Sequence, residues 1–252
     1  MLRGQGDIHG PRQTDPASLT VPRATATCAA SAAIILRMGP DHVVELSERL
    51  TYWTEPHPNW RLNPEWPEEV GCVIYVASDV LVLIDPLIRD DLSPTAWDWL
   101  DRAVEEADGH VAVLLTAPWH ERSTRSVVNR YAAEVWIDPV ARERISDLPR
   151  LRTIPAGIDV FTPRGVSEGQ VAFFIEEERT LIVAEFFLRT RTGLLLCPSP
   201  ATCDIREFTE SMDELRQLPI DRVLIAHGQP ILEGGADAIA AALDYFADDH
   251  RA

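Results

Sequence analysis

The stretch VLLTAPWHERST, from Val113 to Thr124, decides how the rest of the chain is interpreted. The apolar run Val111–Leu115 predicts a buried strand, which Thr116-Ala117-Pro118 interrupts. A helix is expected to begin at Ser123 or Thr124, because apolar side chains then recur at helical spacing, at Val127, Val128 and Tyr131. Open α/β sheets place their functional residues where a strand runs into a loop and then a helix. This loop is therefore the first candidate for a functional site.

Strands and one helix are predicted before this loop. We expect strands over Val43–Trp53, Gly71–Ala77 and Val80–Ile84, and a helix that starts at Ser93-Pro94 and ends at Gly109. The buried stripe of that helix is predicted to be Trp97, Leu100, Ala103, Val104 and Ala107. The Pro- and Trp-rich segment 54–67 predicts a loop over the sheet edge. His57, in that loop between two prolines, fits either a surface position or the wall of a pocket.

Strands alternate with helices again after the loop. The predicted elements are a strand over Glu134–Ile137, a helical stretch over Val140–Ile145, strands over Val171–Ile175 and Thr180–Ala184, a helix over Ile205–Leu218, a strand over Arg222–Ala226 and a last helix over Ala236–Phe246.

Four segments carry a resemblance to a known family. They are LVLIDP (81–86), LLTAPWHERS (114–123), GVSEGQVAFF with TLIVAE (165–174 and 180–185) and LIAHGQPIL (224–232). Their order and separation resemble the metallo-β-lactamase superfamily, from about Thr51 to Phe246. The resemblance implies an α/β fold of four αββα layers, in which two mixed β-sheets face each other and helices cover the outside.

The residues that carry the superfamily's chemistry are mostly replaced. Aligned on Thr116 with the motif Thr-His-x-His-x-Asp-His, the ligand positions hold Ala117, Trp119, Glu121 and Arg122. In the next motif Val166 replaces a histidine. Glu185 stands at the bridging aspartate and His227 at the last histidine, and Asp85 matches an aspartate that supports the site.

The resemblance leaves two interpretations of this site open. Metal sites need N, O or S donors that converge at about 2.0–2.3 Å, and three mixed donors with a water are a sufficient catalytic set. The reachable metal ligands are His120 (or Glu121), Glu185 and His227, for one zinc or manganese ion. Alternatively there is no cofactor. Arg122 would then pair with Glu185 or Glu121 in place of a metal, and Trp119 would fill the vacated volume.

We expect a degenerate dinuclear site that binds a small molecule or a partner. The predicted cleft is lined by Asp85, Trp119, His120, Glu121, Arg122, Glu185 and His227. The alternative is a mononuclear hydrolase in which a metal-activated water attacks an ester, lactone or thioester, and Glu121 or Glu185 takes up its proton. A third possibility is a structural or dimerisation module that uses the Trp-rich loop.

Composition limits the partners and the location. The chain has 252 residues, 46% of them hydrophobic, which suits one sizeable domain. A formal net charge of −17 argues against nucleic acid and anionic membrane surfaces as partners. The protein could still form a homo-oligomer. Cysteines at 28, 72, 197 and 203 match no zinc-finger spacing and favour a reducing, cytoplasmic location. Residues 1–37 predict a disordered extension before a domain over 38–252, with Met38 as an alternative start.

Overall fold

The computed structural model describes residues 43–60, 67–92, 95–107, 109–189, 193–196 and 204–249. The predicted extension over 1–37, the choice between Met1 and Met38, the helix start at Ser93-Pro94 and three of the four cysteines lie outside these residues. Cys72 is described, and it is a buried free thiol.

The first sheet has six strands in chain order. They are β1 (Val43–Glu45), β2 (Leu50–Pro56), β3 (Glu69–Ala77), β4 (Val80–Ile84), β5 (Val111–Leu114) and β6 (Glu134–Trp136). The strands from β1 to β4 pair antiparallel, whereas β4, β5 and β6 are parallel. The sheet is therefore mixed, and the parallel part contains the loop after β5.

The second sheet has four strands, in the order β12-β9-β8-β7. They are β7 (Ile158–Phe161), β8 (Ala172–Ile175), β9 (Thr180–Val183) and β12 (Arg222–Ile225). Strand β12 runs parallel to β9, and the other two pairings are antiparallel. A separate hairpin joins β10 (Phe187–Arg189) to β11 (Leu194–Leu196), and the sequence did not predict it.

Within the described residues, four α-helices and two 3-10 helices connect the strands. They are α1 (Ala96–Glu106), α2 (Thr124–Tyr131), α3 (Ile205–Met212) and α4 (Gly235–Asp249), with 3-10 helices at Pro139–Ile145 and Asp213–Gln217. Within the described ranges, no helix has the length and apolar character needed to cross a membrane.

Three hydrophobic clusters separate four layers. Alternate residues of β3 point to opposite faces, so Cys72 and Ile74 pack with α1 and α2 while Val73 and Tyr75 pack against the second sheet. The outer face of the second sheet packs on α3 and α4 through Phe174, Leu181, Phe208 and Ile239. The architecture is the αββα arrangement expected from the sequence.

Three predicted elements need correction. Val43–Trp53 is two strands, because the Ser47 hydroxyl accepts the N–H groups of Arg49 and Leu50 and closes a turn. Trp99 rather than Trp97 is the fully buried tryptophan of α1. The helix predicted over 205–218 changes to a 3-10 turn after Met212.

Candidate metal centre

Four strand ends meet at one edge of the two sheets. Asp85 directly follows β4, and Thr116 lies two residues beyond the last residue of β5. Glu185 and His227 each lie two residues beyond the last residue of β9 and β12. Strand β4 is parallel to β5, as β9 is to β12, so each pair ends at the same edge.

Asp85 is the buried anchor of this edge, with 4% of its surface exposed. Its Oδ1 accepts the backbone N–H of Thr116 at 2.9 Å, and its Oδ2 accepts the Thr116 hydroxyl and the Nδ1–H of His120, the latter at 2.8 Å. Burial alone would raise the pKa of Asp85, but the adjacent His120 and these hydrogen bonds outweigh it and hold the pKa below its ordinary value. Asp85 therefore remains a carboxylate.

His120 points its other nitrogen into the space between the sheets. Because Asp85 can only accept, Nδ1 carries the proton, and Nε2 lies 3.4 Å from Oε1 of Glu185. Burial lowers the pKa of His120, but the Asp85 charge and hydrogen bond more than offset it, so the pKa is raised. The imidazole is thus held between two carboxylates.

Glu185 and His227 complete a three-residue cluster. Nε2 of His227 lies 3.0 Å from Oε1 of Glu185, the oxygen that also faces His120. Burial opposes ionisation of Glu185, yet the two imidazoles hold its pKa far below the ordinary range. Burial also lowers the pKa of His227, against the effect of Glu185. One potential ligand atom from each of the three residues lies within 4.8 Å of the others.

Solved structures with the same architecture share little sequence with this chain. A metallo-β-lactamase from Pontibacter korlensis superposes with a TM-score of 0.62 at 14% identity, over 82% of this chain and 98% of that one. Another from Erythrobacter litoralis gives 0.59 at 16% identity, over 82% and 96%. The DIM-1 metallo-β-lactamase gives 0.59 at 12% identity, over 82% and 98%. The chain has the metallo-β-lactamase fold. No protein-family model and no curated protein matches its sequence.

The three donors fit a divalent ion by chemistry and spacing. Two ligands that each lie about 2.0–2.1 Å from a tetrahedral zinc ion are about 3.3 Å from each other. The separations of Glu185 Oε1 from the two Nε2 atoms, 3.4 Å and 3.0 Å, are close to that value. A ligand histidine usually donates its second N–H to a carboxylate, as His120 does to Asp85. The described residues therefore include one metal-compatible set of donors at this edge.

Arg122 does not form the ion pair that the sequence suggested. Its Nη1 donates to the carbonyl oxygens of Gly71 and Asp85, both at 2.9 Å, and contacts Sγ of Cys72 at 3.7 Å. Within the described residues, no carboxylate pairs with it. The prediction that Arg122 neutralises Glu185 or Glu121 is wrong because its guanidinium bends toward the strand ends rather than toward the acids.

Trp119 and Glu121 also lie differently from expectation. Trp119 is 42% exposed and meets the His120 ring edge-on at 6.2 Å between centroids, so it lies at the rim and does not fill a vacated metal position. Glu121 forms an ion pair with Arg125 and is outside the three-residue cluster. Of the sequence-predicted residues, the structure brings together Asp85, His120, Glu185 and His227, and Arg122 is bonded to the carbonyl of Asp85.

His57 is a residue that the predicted cleft omitted. It follows β2 at the same edge, because Pro56 pairs with Glu69 and the next residue, Val70, bridges to His227. Burial lowers the pKa of His57. Its Nδ1 accepts the backbone N–H of Asn59 at 3.3 Å. The flanking prolines were the available signal, because they restrict the loop that carries it.

A separate cavity lies elsewhere in the described part of the fold. It measures about 660 Å³ and lies at the opposite end of β4 and β5, between Ala77–Val80, Gly109–Ala112 and the 151–156 segment. Its walls include none of the predicted site residues. Among described residues, the metal-compatible grouping occurs only at His120, Glu185 and His227.

Proposed function

We propose that this chain binds one zinc or manganese ion through His120, Glu185 and His227 and hydrolyses an ester, lactone or thioester of a small molecule. The observation that carries the proposal is the Asp85–His120 hydrogen bond of 2.8 Å, which turns Nε2 of His120 toward Glu185 and His227. It is the arrangement by which proteins orient a ligand histidine and raise its basicity.

A single ion suits the residues around this cluster better than two. Ala117, Trp119, Arg122 and Val166 stand at ligand positions of the dinuclear family motifs, and none of these side chains is a metal ligand here. The proposed centre thus has ligands for one metal ion and none for a second. A bound ion would supply polarisation of a substrate carbonyl and activation of water.

The protein's own groups would hold and shield the reacting atoms. Thr116 fixes Asp85 through its N–H and hydroxyl, and Asp85 in turn fixes His120. Glu185 stays ionised, so it serves better as a ligand than as a proton acceptor, whose best pKa is near the working pH. Trp119 at the rim offers an apolar surface for the rest of the substrate.

Metal-free binding of a small molecule or partner in this cleft is the second candidate. The observation in its favour is that His120 lies between two carboxylates, with Nδ1 2.8 Å from Asp85 and Nε2 3.4 Å from Glu185, an arrangement that suits an imidazolium. The positive charge of a protonated His120 would compensate the two carboxylates in place of a metal ion. Metal binding would then have to displace that proton.

Metal content and zinc affinity distinguish the two candidates. Untagged protein purified without chelators should contain about one equivalent of metal by elemental mass spectrometry. His227→Ala should lose it, because one of three protein ligands is removed. Asp85→Asn should weaken zinc binding about 10–100-fold, since an amide cannot accept from both Thr116 and His120 as the carboxylate does.

His110→Ala is the matched control, because His110 is exposed and precedes β5 at its far end. It should keep the metal content and zinc affinity of the parent protein. Metal-loaded protein should hydrolyse chromogenic ester, lactone or thioester substrates, and His227→Ala should not. A metal-free parent protein whose melting temperature does not respond to zinc or manganese would support the metal-free candidate instead.

A further inference from the structure

We infer that the cleft selects a substrate with an oxyanionic group, a carboxylate or a phosphate, and that Arg122 is the residue that binds it. This inference rests on the proposed function, since it names the substrate class of the same site. It starts from a guanidinium that the structure holds beside the metal-compatible cluster without a carboxylate partner.

The contacts of Arg122 use one nitrogen of its fork. Nη1 makes the hydrogen bonds to Gly71 and Asp85 and the contact with Cys72, and all three acceptors are neutral carbonyl or thiol groups. Nε and Nη2 take no part in these contacts. The side chain is half-buried, so its charge is fixed in place by the backbone but is not cancelled by it. A planar fork with remaining donors is suited to a carboxylate or a phosphate.

The nearby carboxylates are already engaged. Asp85 accepts from Thr116 and His120, and Glu185 faces His120 and His227. Glu121, the chain neighbour of Arg122, pairs with Arg125. These acids therefore do not compete with an incoming anion for the guanidinium.

The charge of the metal-loaded site also favours an anion. The carboxylates of Asp85 and Glu185 would balance a divalent ion, and the imidazoles would be neutral as ligands. The positive charge of Arg122 then has no negative charge in the cluster to balance it. A single negative charge on the substrate would neutralise the cleft, whereas a neutral substrate would leave a partly buried positive charge unmatched.

The hydrogen bonds of Arg122 support this position. Its Nη1 donates to the carbonyl of Asp85, whose carboxylate accepts a hydrogen bond from His120. It also donates to the carbonyl of Gly71, whose N–H donates to the carbonyl of Ala226 beside His227. The guanidinium is thus near the imidazoles that border the cleft. A purely structural arginine, which only ties the strand ends together, would leave anion binding unaffected when replaced.

Calorimetric titration with small probes separates these roles. The probes are succinate, inorganic phosphate and the neutral succinamide, each titrated into metal-loaded and chelator-treated protein. The parent protein should bind one or both anions at least about tenfold more tightly than succinamide, and Arg122→Gln should lose most of that preference. Arg122→Lys, which keeps the charge and a donor to the carbonyls, should retain part of it.

Arg130→Gln is the matched control, an exposed arginine on α2 that pairs with Asp101, away from the cluster. It should leave the preference for anions unchanged. A folded Arg122→Gln variant with normal metal content and the full preference would overturn the inference. If that variant does not fold, equal affinity of the parent protein for succinate, phosphate and succinamide would overturn it.

The two proposals fail in different ways. Absence of metal from the parent protein contradicts the proposed function and is read from elemental analysis alone. Loss of the anion preference in Arg122→Gln, seen in both metal-loaded and chelator-treated protein, would support the role of Arg122 even then. Tighter binding of succinate than of phosphate would identify the carboxylate as the group recognised, and the reverse order the phosphate.

Discussion

The carboxylate of Asp85 determines which nitrogen of His120 faces the cleft. It has a left-handed backbone conformation, with φ of 50°, which is costly for a non-glycine residue. Its Oδ1 accepts the Thr116 N–H at 2.9 Å, so the loop after β5 is tied to the end of β4. The strain is offset by these bonds, and the result is a fixed imidazole rather than a mobile one.

A second buried acid, Glu55, should make stability depend on pH. Only 5% of its surface is exposed, and burial, opposed by Arg89 and reinforced by Asp91, raises its pKa to about 7. The folded protein thus favours the protonated form, so stability is full below the unfolded pKa near 4.5 and is lost as pH rises toward 7. Allowing for partial solvation, the loss is on the order of 2 kcal/mol.

Glu55→Gln should remove this loss. Urea denaturation at pH 5 and pH 8 should show a smaller difference in the free energy of unfolding for the variant than for the parent. Glu69→Gln, an exposed glutamate on the adjacent strand β3, is the control and should behave as the parent does. An equal pH dependence in parent and Glu55→Gln would show that Glu55 is ionised at little cost.

Sequence alone predicted part of the site at the scale of single residues. Asp85, Glu185 and His227 follow apolar strands, and the motif order indicated that they meet. His120 was one place out of register with the family motif, yet its side chain reaches the cluster. The orientations of the Arg122 and Trp119 side chains were not predictable, because they depend on the backbone conformation of the loop and not on its sequence pattern.

At the scale of elements, Gly71 of β3 controls how closely the two sheets approach. Its N–H donates to the carbonyl of Ala226 at 2.9 Å, and its own carbonyl accepts from Arg122. A Cβ atom at this position would lie 2.4 Å from the backbone oxygen of Ile225 and 2.6 Å from the Tyr52 hydroxyl. Only glycine allows β3 and the end of β12 to lie this close.

Gly71→Ala should therefore be strongly destabilising. Because the obstacle at Ile225 is backbone, one of the sheets must shift, and we expect a loss of about 3 kcal/mol or more in the free energy of unfolding. Gly109→Ala is the control. Gly109 has a φ of 77° but open space around its Cβ position, so only backbone strain of about 1 kcal/mol applies. Similar losses in the two variants, measured by chemical denaturation, would contradict the steric argument.

The strands were more predictable than the connections between them. Continuous apolar runs such as Val80–Ile84 place a strand within a residue or so of its observed bounds, because both faces of the sheet are covered. The turn at 46–49 was hidden, since Ser47 and Glu48 are compatible with an exposed strand face. The β10–β11 hairpin was missed because no turn signal separated it from the strand before it.

At the scale of the whole molecule, the candidate metal centre joins the two sheets. His120 follows β5 of the first sheet, whereas Glu185 and His227 follow β9 and β12 of the second. Backbone hydrogen bonds from Gly71 to Ala226 and from Val171 to Thr116, at 2.9 Å and 2.8 Å, connect the sheets at the same edge. The cluster therefore depends on the relative position of the sheets more than on any one loop.

Zinc binding should accordingly restrain both sheets at once. An ion held by ligands from the two layers opposes their separation, so the backbone near residues 116–120 and near 226–228 should become harder to open. Hydrogen–deuterium exchange followed by mass spectrometry, with and without zinc, should show slower exchange in both segments. The strands β1 and β7 should change little, because no ligand follows them.

His227→Ala is the informative comparison for this experiment. Without its ligand from the second sheet, zinc could still contact His120 and Glu185 but would bind more weakly, and the protection of 226–228 should be lost first. Protection confined to 116–120 in the parent protein would mean that the ion does not bridge the layers, and that Glu185 and His227 interact with each other without it.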